Sequence, residues 1–561
     1  METNPKSIAQ AFNDFFVKVG ESLAEAFVGN SYLDFARKVP SNQSYTIPVM
    51  KPDFVLKELQ HLNPNKATGL DGITAKSLKC AAPVIYTSLA KVMNLSITTG
   101  IFINDWKIAK VIPLYKSGDA SDVCNYRPVS ILSIPSKILE RHVHLTLYGY
   151  LEAHKLITPD QSGFRPNHSC ESALLKMTDK WLENIDKGNI TGLIYVDLRK
   201  AFDTVNHTYL LQKLTAYGIS EESWYWFCTY LNKRTQEVHW QGETSQRQDV
   251  TVGVPQGSIL GPLLFILYIN DLPEHLDEEV HMYADDSTLM ATDKSVAALE
   301  TKMSKSFHQM AKWMASNKLT LHVGKTKTQL IGTYRKVTRD TKFTIEYNGQ
   351  SLEQVHTAKL LGVYIDSNLT WQDHYDYICK KMSQKIGVLK RLRDTLDSAT
   401  LKLVFNTIVL PHMDFACAVW GRCSNLTNVD RVFKLQKRAA RVILNCTVLD
   451  IDSKTLFTRI KWMPFQDRVS YRRCIMMYKV IHDIAPTYLQ TFKPVTSVHR
   501  YVTQSASKGY LYHERACLKY KTRSFKFEAS RLWNNLNMDI REARTINMFK
   551  SKYLTWYFTQ E

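Results

Sequence analysis

Two adjacent acids, Asp285 and Asp286, sit between apolar residues in the stretch Val280-His281-Met282-Tyr283-Ala284-Asp285-Asp286-Ser287-Thr288-Leu289-Met290. The alternation on either side predicts a hairpin whose turn carries both carboxylates. Neighbouring acids on a turn repel each other unless a cation lies beside them, and paired carboxylates suit Mg²⁺, a hard ion that prefers oxygen ligands. A solvated Asp-Asp turn is the plain alternative, since turns favour Asp in any case. A third acid, Asp197, ends the buried-type strand Gly192-Leu193-Ile194-Tyr195-Val196 far upstream. Two-metal chemistry needs carboxylates from separate elements converging on ions about 3.5–4 Å apart, and only a shared sheet could bring Asp197 to the Asp285–Asp286 pair.

The rest of the chain must position these acids. It has 561 residues, with 72 Lys and Arg against 53 Asp and Glu, for a net charge of +19. That length allows several domains with buried cores, and the positive excess attracts a polyanion. Nucleic acid is the better candidate than a membrane, because the longest apolar run, near Leu263 to Ile269, is far shorter than a span. The first sixteen residues lack the architecture of a signal peptide. Ten cysteines without paired spacing read as reduced thiols of an intracellular protein, in nucleus or cytoplasm.

Periodicity gives helices over Met1 to about Val39, Pro52 to Leu62, Thr74 to Thr99, Ile134 to Ala153, Ser169 to Gly188, Thr208 to Leu231 and about Val296 to Ser316. Strands are expected at Ile108 to Tyr115, Asn125 to Leu132, Gly192 to Asp197, in a hairpin over Gln236 to Val252, and beyond Lys325. A helix from Ser258 should lead directly to the acidic hairpin. This interleaving is an α+β arrangement. Beyond about Thr370 the chain turns almost wholly helical. Arg431, Lys434, Arg438 and Arg441 fall three and four apart, opposite Val432, Leu435, Ala439 and Val442, a basic face suited to tracking a phosphate backbone.

Several short motifs then line up. Val196-Asp197-Leu198-Arg199-Lys200-Ala201-Phe202-Asp203, Gly253-Val254-Pro255-Gln256-Gly257-Ser258 and Tyr283-Ala284-Asp285-Asp286 resemble the successive palm motifs of reverse transcriptases. Pro64 to Gly72, Tyr126-Arg127-Pro128 and Gly163-Phe164-Arg165-Pro166 resemble upstream finger motifs of the LINE, or non-LTR retrotransposon, class. Gly324-Lys325-Thr326 resembles the fourth palm motif and Leu360-Leu361-Gly362-Val363 the primer grip. The jockey-like branch is the nearest, on Ala11 to Phe16 and on Leu435 to Arg441.

The resemblance implies an RNA-directed DNA polymerase with the right-hand fold: fingers and a palm of small antiparallel sheet backed by helices, then an all-helical thumb. Residues 1–62 would be an amino-terminal helical extension, 63–370 fingers and palm, 371–450 thumb, and 451–561 a helical, basic carboxy-terminal extension. Asp197, Asp285 and Asp286 would hold two Mg²⁺ ions, with Mn²⁺ a possible substitute. Lys116 and Arg127 would clamp the triphosphate, Arg through its planar fork and Lys as a point charge, with Lys110 the rival of Lys116. Phe202 would lie under the sugar and exclude a 2′-hydroxyl. Gln256 and Gly257 would approach nucleotide and template, and Lys325 would protonate pyrophosphate. Asp203 is read as structural. The partners implied are an RNA template, a DNA primer and deoxynucleoside triphosphates, with no membrane.

Other chemistries fit less well. His412, Cys417 and Cys423 lack zinc-knuckle spacing, and no Gly-rich Walker loop is present. No segment has a recognisable nuclease order of acids and histidines, so primer extension without strand nicking is expected. The competing reading is a non-catalytic or domesticated RNA-binding remnant that keeps the fold and its basic thumb.

Overall fold

The computed structural model describes residues 3–25, 35–423, 425–497 and 509–559. The chain divides into two compact units that interleave in sequence. The first comprises Met1–Phe164, Val196–Ser287 and Ser306–Val323, and the second Arg165–Tyr195, Thr288–Lys305 and Gly324–Glu561. Together they are an α+β protein with mixed sheets.

In the first unit, strand Ile108–Tyr115 lies between Tyr126–Ile131, its antiparallel partner, and Arg234–Trp240, with which it runs parallel. Tyr126–Ile131 alternates buried and exposed residues, so Tyr126, Pro128 and Ser130 face the core while Arg127 and Val129 stay outside. Helix Pro5–Glu25 covers this sheet. Its Phe12 ring packs edge-on to Tyr126 at 4.7 Å and tilts against Trp240 at 5.2 Å. Asn13 donates to the Gln246 carbonyl (2.7 Å) and accepts from Gln236 (2.9 Å). The helix is described from Pro5 to Glu25; residues 26–34 lie outside the described residues, and 35–38 are not helical, so the helix expected to about Val39 does not extend that far.

Helix Ala75–Thr99 begins at Thr74, whose hydroxyl accepts from the Ser77 amide, and ends at Gly100 in a left-handed conformation. It is the one described helix long and apolar enough by composition to cross a membrane. It packs beside helices Pro52–Gln60 and Glu221–Leu231, burying Leu78, Ala82, Ala90, Met93 and Ile97. The helix expected from Ser258 begins at Gly261, and a 3₁₀ turn, Leu272–His275, separates it from the acidic hairpin.

The second unit holds strand Ile190–Val196 through Tyr195, antiparallel to Lys327–Ile331 from Thr191 to Tyr195. The two-residue strand Glu353–Gln354 runs parallel on the far edge, so this sheet is mixed, where a purely antiparallel one was expected. The cause is connectivity: the chain leaves Ile331 on a long excursion and returns beside the same strand in the same direction. Helix Cys170–Asp186 buries Leu174, Leu175, Trp181 and Leu182. Among the described residues beyond Thr370, all the regular structure except short bridges is helical, from Gln372–Leu392 to Ile546–Thr559.

Candidate active site

The acidic turn is shaped by residues from elsewhere in the first unit. Strand Glu279–Tyr283 gives way to Ala284, a non-glycine residue at φ 58°, and the next strand starts at Asp286. A left-handed alanine costs energy and persists where its surroundings hold it. Gln161 does the holding: its Oε1 accepts from the Ala284 amide (2.9 Å) and the Gly163 amide (2.7 Å). The Ser162 amide also donates to the Met282 carbonyl, and the Met282 amide to Asp160, each at 2.8 Å. Gly163 is required sterically, because a Cβ there would lie 2.2 Å from the Ala284 nitrogen.

Asp197 follows strand Ile190–Val196, and its carbonyl accepts from the His322 amide at 2.8 Å. Leu198 bridges Leu321, and the Arg199 amide donates to Thr320. These bonds fix the backbone from which the carboxylate projects.

The charge of Asp197 reaches both acids of the turn. Burial is the largest influence raising the pKa of Asp285, and the Asp197 charge raises it further, while Arg127 and Lys116 pull it down. Asp286 is pushed up to about 6 by burial, then by Asp285 and Asp197, against Lys116. Like charges thus accumulate at one place, with two cations facing them. Among the described residues, no three His, Cys, Asp or Glu side chains are drawn together to metal-binding distance. Mutually repelling carboxylates stand apart until a cation comes between them, and an all-oxygen anionic donor set fits Mg²⁺.

Of the two candidate lysines, Lys116 is the one whose charge acts on Asp285 and Asp286. Its amide donates to the Asn125 carbonyl at 2.9 Å, one pair beyond Tyr115–Tyr126 and two beyond Leu114–Arg127. Lys110 pairs with Ile131 at the other end of the ladder.

Phe202 lies in a 3₁₀ turn after Lys200, itself left-handed at φ 49°. Its ring stacks on Phe265 at 4.4 Å and meets Phe164 edge-on at 6.1 Å, leaving it half-buried. The loop Gly253 to Gly257 is strapped to this turn and to strand Tyr126–Ile131. Val254 donates to the Phe202 carbonyl (2.9 Å), Gly253 to Val205 (2.8 Å), and Ser130 to the Gln256 carbonyl (2.8 Å). Gly257, at φ 135°, must lack a side chain, since a Cβ would sit 2.2 Å from the Ser130 oxygen.

Some residues of this region escaped the sequence reading. Glu140 is fully buried and accepts from the Ile259 and Leu260 amides at 2.6 and 3.4 Å. Arg234 is buried nearby and lowers a Glu140 pKa that burial raises. An acid in the apolar run Ile138-Leu139-Glu140 was the only available hint of the first; nothing marked Gln161.

Lys325 is an exposed residue of the second unit, just before strand Lys327–Ile331. The four basic residues lie on helix Leu426–Leu444, whose Val432 and Ala439 are buried. Arg431 pairs with Asp376 at 2.6 Å and Lys434 with Asp430 at 2.7 Å, whereas Arg438 is exposed.

The family model described as reverse transcriptase (RNA-dependent DNA polymerase) matches residues 116–365. The chain carries a reverse transcriptase domain. All three acids, with Lys116, Arg127, Phe202, Gln256, Gly257 and Lys325, fall inside it; the four basic residues of helix Leu426–Leu444 lie beyond it. The chain is 26% identical to the probable RNA-directed DNA polymerase from transposon BS of Drosophila melanogaster, over 73% of its own length and 46% of the relative's. It is 26% identical to the RNA-directed DNA polymerase from mobile element jockey of Drosophila funebris, over 69% of this chain and 43% of that one. A match to the type-1 element R1 polyprotein of Bradysia coprophila, also 26% identical, covers 67% of this chain and 37% of that one. The chain therefore spans less than half the length of these relatives.

Proposed function

We propose that this chain is the polymerase part of a jockey-like non-LTR retrotransposon protein, copying element RNA into DNA from a primer 3′-hydroxyl. One observation carries the reading: the charge of Asp197 acts on both Asp285 and Asp286, that of Asp285 acts on Asp286, and Lys116 opposes them at both, with Arg127 at Asp285. A fold gains nothing from gathering like charges, but nucleotidyl transfer needs both an oxygen-rich metal site and cations for a triphosphate.

Asp197, Asp285 and Asp286 would hold two Mg²⁺ ions, or Mn²⁺ in their place. The bound ions would supply a stronger 3′-oxygen nucleophile and charge neutralisation at the phosphates. Arg127 and Lys116 orient the triphosphate. The exposed part of the Phe202 ring closes the space where a 2′-hydroxyl would sit, and the Gly257 turn lets backbone approach the base pair. Lys325 stands as the proton donor for pyrophosphate, and the basic residues of helix Leu426–Leu444 follow the nucleic-acid backbone. In this reading, residues 63–370 are fingers and palm, 371–450 the thumb, and 1–62 and 451–561 are extensions. RNA and DNA substrates put the protein in nucleus or cytoplasm.

The deciding experiment is primer extension on poly(rA)/oligo(dT) with Mg²⁺. Extension of the supplied primer is expected. A protein that binds the hybrid in a gel shift and adds no nucleotide with either Mg²⁺ or Mn²⁺ would instead be the non-catalytic remnant.

A further inference from the structure

Asp203 adjoins Phe202 but is not among the acids whose charges act on the Asp285–Asp286 turn. Its Oδ1 accepts from Gln256 Nε2 at 2.7 Å. A carboxylate at this contact can only accept, so the amide must turn its nitrogen inward and its oxygen away. Among the described residues no donor is hydrogen-bonded to that Gln256 oxygen. From this geometry we infer that Asp203 is a positioning residue, fixing the Gln256 amide so that its oxygen accepts a hydrogen bond from the incoming nucleotide. The inference rests on the polymerase reading above and deepens it.

The surroundings of Asp203 are built for holding a side chain still. A Cβ on Gly253 would lie 2.9 Å from the Asp203 Cα, and one on Gly20 would lie 2.3 Å from its carbonyl oxygen. Both the loop and the amino-terminal helix thus close on this residue as only glycine permits. The other carboxylate oxygen, Oδ2, is shut from solvent without a hydrogen-bond partner, and so is Arg234 Nη2. Asp203 and Arg234 line one cavity of about 50 Å³, with Ser130 and Gln256. That cavity has the room and the polar lining a bridging water needs. Arg234 in turn acts electrostatically on Glu140, which binds the Ile259 and Leu260 amides just after the loop.

A buried ionic arrangement of this kind is expensive, and a residue of similar volume without charge would fill the space at lower cost. What the arrangement does supply is orientation. An amide free to flip presents a donor as often as an acceptor, whereas one held by a carboxylate presents only its oxygen. The ladder from Gly253 and Val254 to Val205 and Phe202 keeps that oxygen in register with the Phe202 ring, so two determinants of nucleotide choice share one rigid seam.

The test is a double-mutant cycle with Asp203→Asn and Gln256→Ala in primer extension. Asp203→Asn, nearly isosteric, should raise the KM for deoxynucleotide about five- to thirtyfold, the worth of one or two hydrogen-bond contributions, with a smaller change in kcat. Gln256→Ala should do the same, and the double variant should be no worse than either single one, because Asp203 acts through Gln256. Asp203→Ser serves if the Asn variant does not fold. A second readout needs no chemistry: deoxynucleotide-dependent retention of a dideoxy-terminated primer–template should weaken equally in all three variants. Additive losses in an active enzyme, or an unchanged KM in folded Asp203→Asn, would overturn the inference and leave the polymerase reading intact. A wild-type protein with neither extension nor nucleotide-dependent retention would end both.

Discussion

Asp286 in the first unit and Asp179 in the second are both raised to about 6 from an ordinary 3.8, and burial is the largest cause in each. Their neighbours then act in opposite directions. Asp179 accepts from the Phe525 and Lys526 amides at 2.6 and 2.8 Å, and Arg473 also favours its charge. It belongs to a row of acids along helix Cys170–Asp186. Glu171 accepts from the Ala418 amide, and Asp186 from the Cys517 and Leu518 amides. Asp286 has instead two further carboxylates pressing on it. Burial displaces both upward; the amides and Arg473 oppose the shift at Asp179, an acid used as a bolt, whereas Asp285 and Asp197 add to it at Asp286. A perturbed pKa therefore marks a candidate site only when the sign of each neighbour is known.

That contrast can be broken by mutation. The largest effect should come from Asp285→Asn, which is expected to lower extension at least about a hundredfold while primer-template binding, carried by Lys and Arg, stays near wild type in gel shifts. Extension at a tenth of the wild-type rate would remove Asp285 from the chemistry. Phe202→Val, measured by ribonucleotide against deoxynucleotide incorporation, should lower discrimination about tenfold or more. Loss of the Phe265 stack should cost about 1–2 kcal/mol in urea unfolding, since the ring is only half-buried. A folded variant that still rejects ribonucleotides refutes the steric filter.

In the second unit, replacing Arg431, Lys434, Arg438 and Arg441 with Gln should lower the slope of log affinity against log salt. Each lost phosphate contact is worth roughly 0.7–0.9. Because Arg431 and Lys434 already have acidic partners, the expected fall is nearer two contacts than four. A full four-contact loss would show that those ion pairs open on binding.

Asp179→Ala should cost about 1–3 kcal/mol by stranding two amides, read by urea unfolding, with activity per folded molecule unchanged. The smallest effect has the opposite sign. A pKa raised to about 6 means that the folded state holds a proton the unfolded chain has lost between about pH 4 and 6. Its contribution to stability therefore falls as pH rises through that window and stays low above it. Without added divalent metal, Asp286→Asn should melt about 2 °C higher than wild type at pH 8, a modest gain because solvent reaches the side chain. The gain should vanish near pH 4, and a lower melting temperature at pH 8 would contradict the crowding of charges.

Local order explains which of these features could be read without coordinates. Helices Ile134–Ala153 and Val296–Ser316 and strand Ile108–Tyr115 have the bounds expected from their hydrophobic periods. Each is an unbroken pattern with a turn-former or cap at its ends. The acidic hairpin was equally legible, because alternation and turn chemistry are properties of neighbours in sequence. The helical character beyond Thr370 followed from the same periodicity. The assignment of roles to Phe202, Gln256 and Lys325 came from resemblance of short motifs, not from any pattern of burial.

What the order of residues determined by itself was thus the set of elements, the acids and the motifs that carry them. Tertiary structure decided the partners. Nothing near Gln161 in the chain announces that it props Ala284, and nothing near Asp203 announces that it turns the Gln256 amide. Glu140 looks like one more helical acid until Ile259 and Leu260 are brought over it, and Arg431 looks free until Asp376 arrives from another helix. Periodicity records which side of an element is apolar, a one-body property of each residue. Hydrogen bonds and ion pairs are two-body properties of atoms far apart in sequence, and they exist only after the chain has folded.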